Sequence, residues 1–98
     1  MGTLKVKILA DAADTMERVT SWYRLNMGRS AAQHFVDSVV ETIDLLSKMP
    51  TIGVLDRNLS TPRRKYYSFL SHPKYRIVYR FTKRTLYIVA IRATLMGS

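Results

Sequence analysis

The feature that most constrains this chain is a run of apolar residues at helical spacing between Ser30 and Met49. Ala32, Phe35, Val36, Val39, Val40, Ile43 and Leu46 recur at i, i+3, i+4 intervals, which places them on one face of an α-helix. Asp37, Glu41 and Asp44 fall on the other face and read as a solvated surface. Ser30 is a good N-cap, Gln33 stands at the capping-box position, and Pro50 closes the run. From Ser30 to Met49, at 1.5 Å per residue, the helix extends about 30 Å. A helix with one apolar stripe needs a second layer to cover it.

The preceding residues supply a partner. Ala12, Met16, Val19 and Tyr23 form a shorter stripe with Trp22 beside it. Asp11 or Asp14 is placed to cap this helix, and Glu17 has capping-box spacing from Asp14. Asn26-Met27-Gly28 ends it, with Gly28 suited to the left-handed conformation. Before it, Leu4-Lys5-Val6-Lys7-Ile8 alternates apolar and basic, the pattern of a half-buried strand.

The covering layer lies in the second half. Thr51 to Pro62 is turn-rich, and a strand is expected from Arg63 to Leu70. Ser71-His72-Pro73 reads as a turn. In the next strand Tyr75, Ile77, Tyr79 and Phe81 share one face, while Lys74, Arg76, Val78 and Arg80 share the other. Leu86 to Ile91 is apolar at successive positions, as in a strand covered on both faces. The predicted fold is therefore α+β, in the order β-α-α-β-β-β. A helical hairpin packs on one face of a small, mainly antiparallel sheet, and the 98 residues form a single domain. Gly97-Ser98 reads as a cloning remnant and takes no part in this reasoning.

Charge is unevenly spread. Residues 1–56 carry six Lys/Arg and seven Asp/Glu; residues 57–98 carry ten Lys/Arg and no acid. A surface that only needs solubility mixes signs, so the one-signed half points to an anionic partner. Alternation places Arg76 and Arg80 on the sheet face away from the helices, where Arg63 or Arg64, Lys65 and Arg92 join them according to register. Guanidinium forks match phosphate oxygens, and nearby tyrosines offer stacking surfaces for bases. On base rates Tyr66, Tyr67, Tyr75 and Tyr79 mostly pack in the sheet and core.

Other chemistries find little support. There is no cysteine, so disulfides and thiolate metal sites are excluded, which suits a reducing cytoplasm. His72 reads as an exposed loop residue and His34 as a surface or partly packed one, so no metal site is expected. Gly28 and Gly53 are isolated rather than part of a phosphate loop, and no cofactor is implied. No apolar run approaches the roughly 20 residues of a membrane span, and Met1-Gly2-Thr3-Leu4 lacks a signal-peptide layout.

The chain resembles the RelE/ParE superfamily of bacterial type II toxin–antitoxin toxins, the plasmid-stabilisation type. The resemblance rests on the element order, on Ala31-Ala32-Gln33-His34-Phe35, on Leu46-Ser47-Lys48-Met49-Pro50-Thr51-Ile52-Gly53, and above all on Tyr75-Arg76-Ile77-Val78-Tyr79-Arg80. It implies a cytoplasmic, growth-inhibiting toxin neutralised by a cognate antitoxin. It also implies one of two targets: ribosome-bound messenger RNA, cut without a metal, or DNA gyrase, poisoned by binding. A third possibility is an inactive basic binding domain of the same fold. In ribonuclease members an arginine in the matching strand binds the scissile phosphate, and Arg76 occupies that position. Lysines of the preceding strand are replaced here by Tyr66-Tyr67-Ser68-Phe69, Arg92 stands about two positions early, and no terminal Tyr or His follows. With one ribonuclease role cleanly filled, the resemblance favours the gyrase target. Arg76 is the catalytic candidate under the ribonuclease alternative. Arg63, Arg64, Lys65, Arg76, Arg80 and Arg92 are the candidates for nucleic-acid or target binding.

Overall fold

The computed structural model describes residues 3–94. The expectations placed on Met1 and Gly2, and on Leu95, Met96, Gly97 and Ser98, lie outside the described residues. Strand β1 (Lys5–Ile8) leads into helices α1 (Ala10–Asn26) and α2 (Arg29–Lys48), then a short 3-10 turn, Pro50–Ile52. Four strands follow: β2 (Val54–Leu55), β3 (Tyr67–His72), β4 (Tyr75–Phe81) and β5 (Thr85–Ala93). They form one sheet in the order β1-β5-β4-β3-β2, with β1 parallel to β5 and the other pairs antiparallel. The predicted α+β architecture is the one found, extended by the two-residue edge strand β2.

The helix stripes make the core. Phe35, Val39 and Leu46 are fully buried, as are Ile77, Tyr79, Leu86 and Ile88 on the facing strands. From α1, Ala12, Val19 and Tyr23 complete this cluster, with Met16 packed against it. Val40 departs from the stripe and is exposed, whereas Thr42 is buried. The Thr42 hydroxyl donates to the Ser38 carbonyl at 2.8 Å and lies 2.9 Å from Ser71 Oγ on β3. A polar residue is tolerated there because its hydroxyl is satisfied, and it ties α2 to the sheet.

Both helix starts differ from expectation. α1 begins at Ala10 after Leu9, which makes no side-chain cap, so neither Asp11 nor Asp14 is the N-cap. α2 begins at Arg29, with Gly28 as N-cap and Ser30 inside the first turn. Gln33 donates to Asp37 Oδ1 at 2.9 Å instead of closing a capping box. Gly28, at φ 99° and ψ 172°, takes a conformation that only glycine adopts readily. It joins the two helices in a tight hairpin: its N–H and that of Met27 both donate to the Tyr23 carbonyl.

β1 is an edge strand and all four of its residues are exposed, so Val6 and Ile8 are not half-buried as alternation suggested. β3 starts at Tyr67, not Arg63. The residues before it close a loop whose neck is the Asp56 N–H to Tyr66 carbonyl bond of 2.7 Å. Within it, Asp56 Oδ1 accepts from the N–H groups of Asn58 and Leu59, and Ser60 Oγ accepts from Tyr66 N–H. These side chains satisfy backbone groups that a longer strand would otherwise pair. His72 is the last residue of β3, half-buried rather than exposed in a turn.

Tyr79 fixes the link between α2 and the sheet. Its hydroxyl donates to the Pro50 carbonyl at 2.7 Å and accepts from the Gly53 N–H at 3.0 Å. A Cβ on Gly53 would overlap that hydroxyl, so close approach, not backbone conformation, requires glycine there.

Candidate functional site

Register decides which side chains share a face, because residues directly opposite across a ladder point the same way. Tyr75, Ile77, Tyr79 and Phe81 of β4 pair with Ala93, Ile91, Ile88 and Leu86 of β5. These belong to the face covered by the helices. On the outer face Arg76 stands opposite Arg92, Val78 opposite Ala90 and Arg80 opposite Tyr87. A bulge at Val78/Tyr79 shifts the pairing by one residue, yet the alternation resumes on either side of it. The separation read from the sequence for Arg76 and Arg80 is therefore present, and Arg92 shares their face.

Two cations that the sequence reading passed over stand beside them. Lys5 pairs with Thr85 and Lys7 with Tyr87 in the parallel β1–β5 ladder. Both thus belong to the outer face, with Lys7 across Tyr87 from Arg80, while Arg92 lies further along β5 beside Arg76. The signal was visible in the basic half of the Leu4-to-Ile8 alternation. Its location was not, because pairing between residues some 80 positions apart in the sequence leaves no local trace.

Each cation has a different setting. The Arg80 guanidinium carbon lies 3.9 Å from the centre of the Tyr87 ring, a cation–π contact that anchors it over the ring. Arg76 is half-buried, and its Nε lies 3.4 Å from Ser68 Oγ, a long hydrogen bond that leaves its terminal nitrogens available. Arg92, Lys5 and Lys7 are exposed. Among the described residues the one ion pair is Lys48–Asp44 on α2, so none of these five cations is neutralised by a carboxylate. The centre of the face is packed, with Val78 and Ala90 both buried.

Arg63, Arg64 and Lys65 are not on the sheet face. They sit on the loop before β3 and meet Arg80, Tyr67, Phe81 and Thr82 around a cleft of about 390 Å³ at the sheet's end. Arg64 N–H bonds to both the carbonyl and the hydroxyl of Thr61, which fixes this part of the loop. Arg80 alone belongs to both groups. The six candidates thus divide into a face set (Arg76, Arg80, Arg92) and a rim set joined to it through Arg80.

Tyr75 and Tyr79 lie on the helix side away from the cations, whereas Tyr67, on the same side of the sheet, reaches the rim cleft beside Arg63, Arg64 and Lys65. Tyr79 is fully buried, and burial raises its pKa above the ordinary 10, an effect the Gly53 hydrogen bond partly offsets. The two histidines lie away from the cations. The His72 ring is 6.0 Å from His34 and Phe35, 6.1 Å from Tyr23 and 5.8 Å from Tyr75. Burial, followed by the charges of His34 and Lys74, pulls its pKa below the ordinary 6.5. Its Nδ1 accepts from the Lys74 N–H at 3.2 Å, so Nε2 carries the proton in the neutral ring.

A second concave surface lies at the β1 edge. Ile8, Ala13, Met16, Glu17, Thr20 and Arg24 are among the residues lining a mainly apolar groove of about 380 Å³ between β1 and α1. Among the described residues, no helix is long and apolar enough to cross a membrane.

The fold, a helical hairpin on one face of a five-stranded sheet, is shared with solved structures. The chain is similar to a structure described as the chromosomal ParDE TA system from P. aeruginosa, at 17% identity and a TM-score of 0.73, covering 93% of this chain and 96% of that one. It is also similar to the YoeB dimer from Staphylococcus aureus, at 17% identity and a TM-score of 0.52, covering 93% and 97%. None of the curated proteins matches it. The family model described as ParE toxin of type II toxin-antitoxin system, parDE, matches residues 6–96. The chain belongs to this ParE toxin family.

Proposed function

We infer that this toxin inhibits growth by binding DNA gyrase, without catalysis of its own, and that a cognate antitoxin neutralises it. Membership of the ParE family over residues 6–96 carries this reading. The chemistry of the outer face supports it. Its positions on β1, β4 and β5 include Lys5, Lys7, Arg76, Arg80, Tyr87 and Arg92, which suit charge recognition. Cutting RNA through its own 2′-OH also needs a group that accepts a proton at the reacting oxygen. His34 and His72 stand on the helix side of the sheet instead. Gyrase acts in the cytoplasm, and the toxin would act there with it.

The β1 edge suits the antitoxin. Among the described residues its backbone groups on one side have no strand partner, and Val6 and Ile8 are exposed beside the apolar groove. An added strand with an amphipathic, acidic helix would satisfy the edge, fill the groove and balance the net charge of +9.

A supercoiling assay with purified gyrase, beside primer extension after induction in cells, separates the targets. Purified gyrase with supercoiled DNA should accumulate protein-linked breaks in the presence of the toxin, and primer extension on messenger RNA should find no codon-positioned cuts. Arg76→Ala, which keeps the core intact, should weaken gyrase-linked breakage. Codon-positioned cuts that vanish in Arg76→Ala would replace this reading with the ribonuclease one.

A further inference from the structure

The cationic face is broad as well as charged. Lys5 and Lys7 on β1, Arg92 on β5, and Arg76 and Arg80 on β4 occupy one face of three adjacent strands. Strands lie about 4.8 Å apart and rise about 3.3 Å per residue. Lys7 and Arg80 both flank Tyr87, so their backbones are about 10 Å apart across two strand spacings. Arg76 and Arg80 are about 13 Å apart along β4. The charges therefore cover a patch with two dimensions, not a single file.

That shape discriminates between polyanions. A duplex presents two rails of phosphate across a groove about 6 to 12 Å wide, which a patch of this width spans. A single strand is gripped by exposed aromatic platforms on which its bases stack. Here the face's tyrosine, Tyr87, is covered by the Arg80 guanidinium, Tyr75 and Tyr79 are turned to the helices, and Tyr67 lines the rim cleft rather than the face. We propose that the outer face of the sheet grips the phosphate backbone of duplex DNA without reading its sequence, with Lys5 and Lys7 as members of the contact. The proposal rests on the gyrase reading for where the duplex is met, namely on the enzyme; the contact itself belongs to the free toxin.

Fluorescence anisotropy of the full chain with a labelled mixed-sequence duplex tests it, beside single-stranded DNA and RNA of the same length. Five neutralised phosphates give a slope of log K against log salt of about −4.5, so affinity falls about 500-fold between 50 and 200 mM KCl. The double variant Lys5→Ala/Lys7→Ala should reduce the slope to about −2.7 and the loss to about 40-fold. Lys48→Ala is the control: its amine lies on α2, paired with Asp44, and its slope should equal that of the wild type. Circular dichroism checks each fold, and Arg92→Ala, expected to lower the slope magnitude by about 0.9, serves if the edge-strand variant fails to fold. A slope unchanged in both variants, or tighter binding to single-stranded RNA than to the duplex, overturns the proposal. Gyrase-linked breaks without duplex binding also overturn it while leaving the gyrase reading intact. Duplex binding with the expected slopes but no gyrase-linked breaks supports it and removes the gyrase reading.

Discussion

Replacing Tyr79 by phenylalanine tests how the end of α2 is held to the sheet. The ring is fully buried, so the substitution leaves its packing in place and removes one oxygen. That oxygen donates to the Pro50 carbonyl and accepts from the Gly53 N–H. Each bond between neutral groups contributes about 1 kcal/mol net. Both backbone partners are half-buried, which allows water to satisfy them in part. The expected cost is about 2 kcal/mol, or a fall in Tm of roughly 8–16 °C for a domain of this size. Gly53→Ala approaches the same contact from the other side, because its new methyl would meet the Tyr79 hydroxyl and lie 2.9 Å from ring atoms Cε1 and Cζ. The two changes disrupt one shared contact, so the double variant should lose less stability than the two single variants added together. Urea denaturation followed by circular dichroism measures all four corners of this cycle. A Tyr79→Phe cost below about 0.5 kcal/mol, within the range of ordinary surface changes, or strict additivity, would refute the clamp.

Two further outcomes follow from local geometry. Gly28→Ala meets open space but must hold φ 99°, so it should destabilise by about 1–3 kcal/mol through backbone strain alone; a thermal melt matching the wild type would contradict this. The His72 pKa is lowered in the fold, so the unfolded chain binds the proton more readily. Its contribution is present above pH 6.5 and is lost as pH falls through the folded-state value. Urea midpoints should therefore decline from pH 7.5 to pH 5, and His72→Phe should flatten that decline; an equal decline in the variant would assign the effect elsewhere.

The parts of the fold that were legible in the sequence are those governed by local periodicity. The α2 stripe and the Tyr75-to-Phe81 alternation each place side chains by their own spacing, and the structure keeps the alternation and all of the stripe except Val40. The parts that were not legible depend on partners distant in sequence or on side chains that compete for the backbone. Arg63 to Tyr66 has strand-like composition, but the bonds from Asp56 and Ser60 hold the preceding residues in a closed loop. His72 looked like a turn residue because of Pro73, yet the aromatic rings of α1, α2 and β4 surround it. Lys5 and Lys7 looked like part of a charge-balanced half, and only the parallel ladder to β5 brings them to the arginines.

That ladder also governs when the toxin comes into being. β1 is translated some 80 residues ahead of its partner β5. Ile77, Tyr79, Leu86, Ile88 and Ile91, the sheet's share of the core, all belong to β4 and β5. A nascent chain that has not reached β4 therefore carries two apolar helix stripes without the strands they pack on, and three of the five cations of the outer face are still unmade. The outer face is assembled only after β5 has been made and has paired with both β4 and β1.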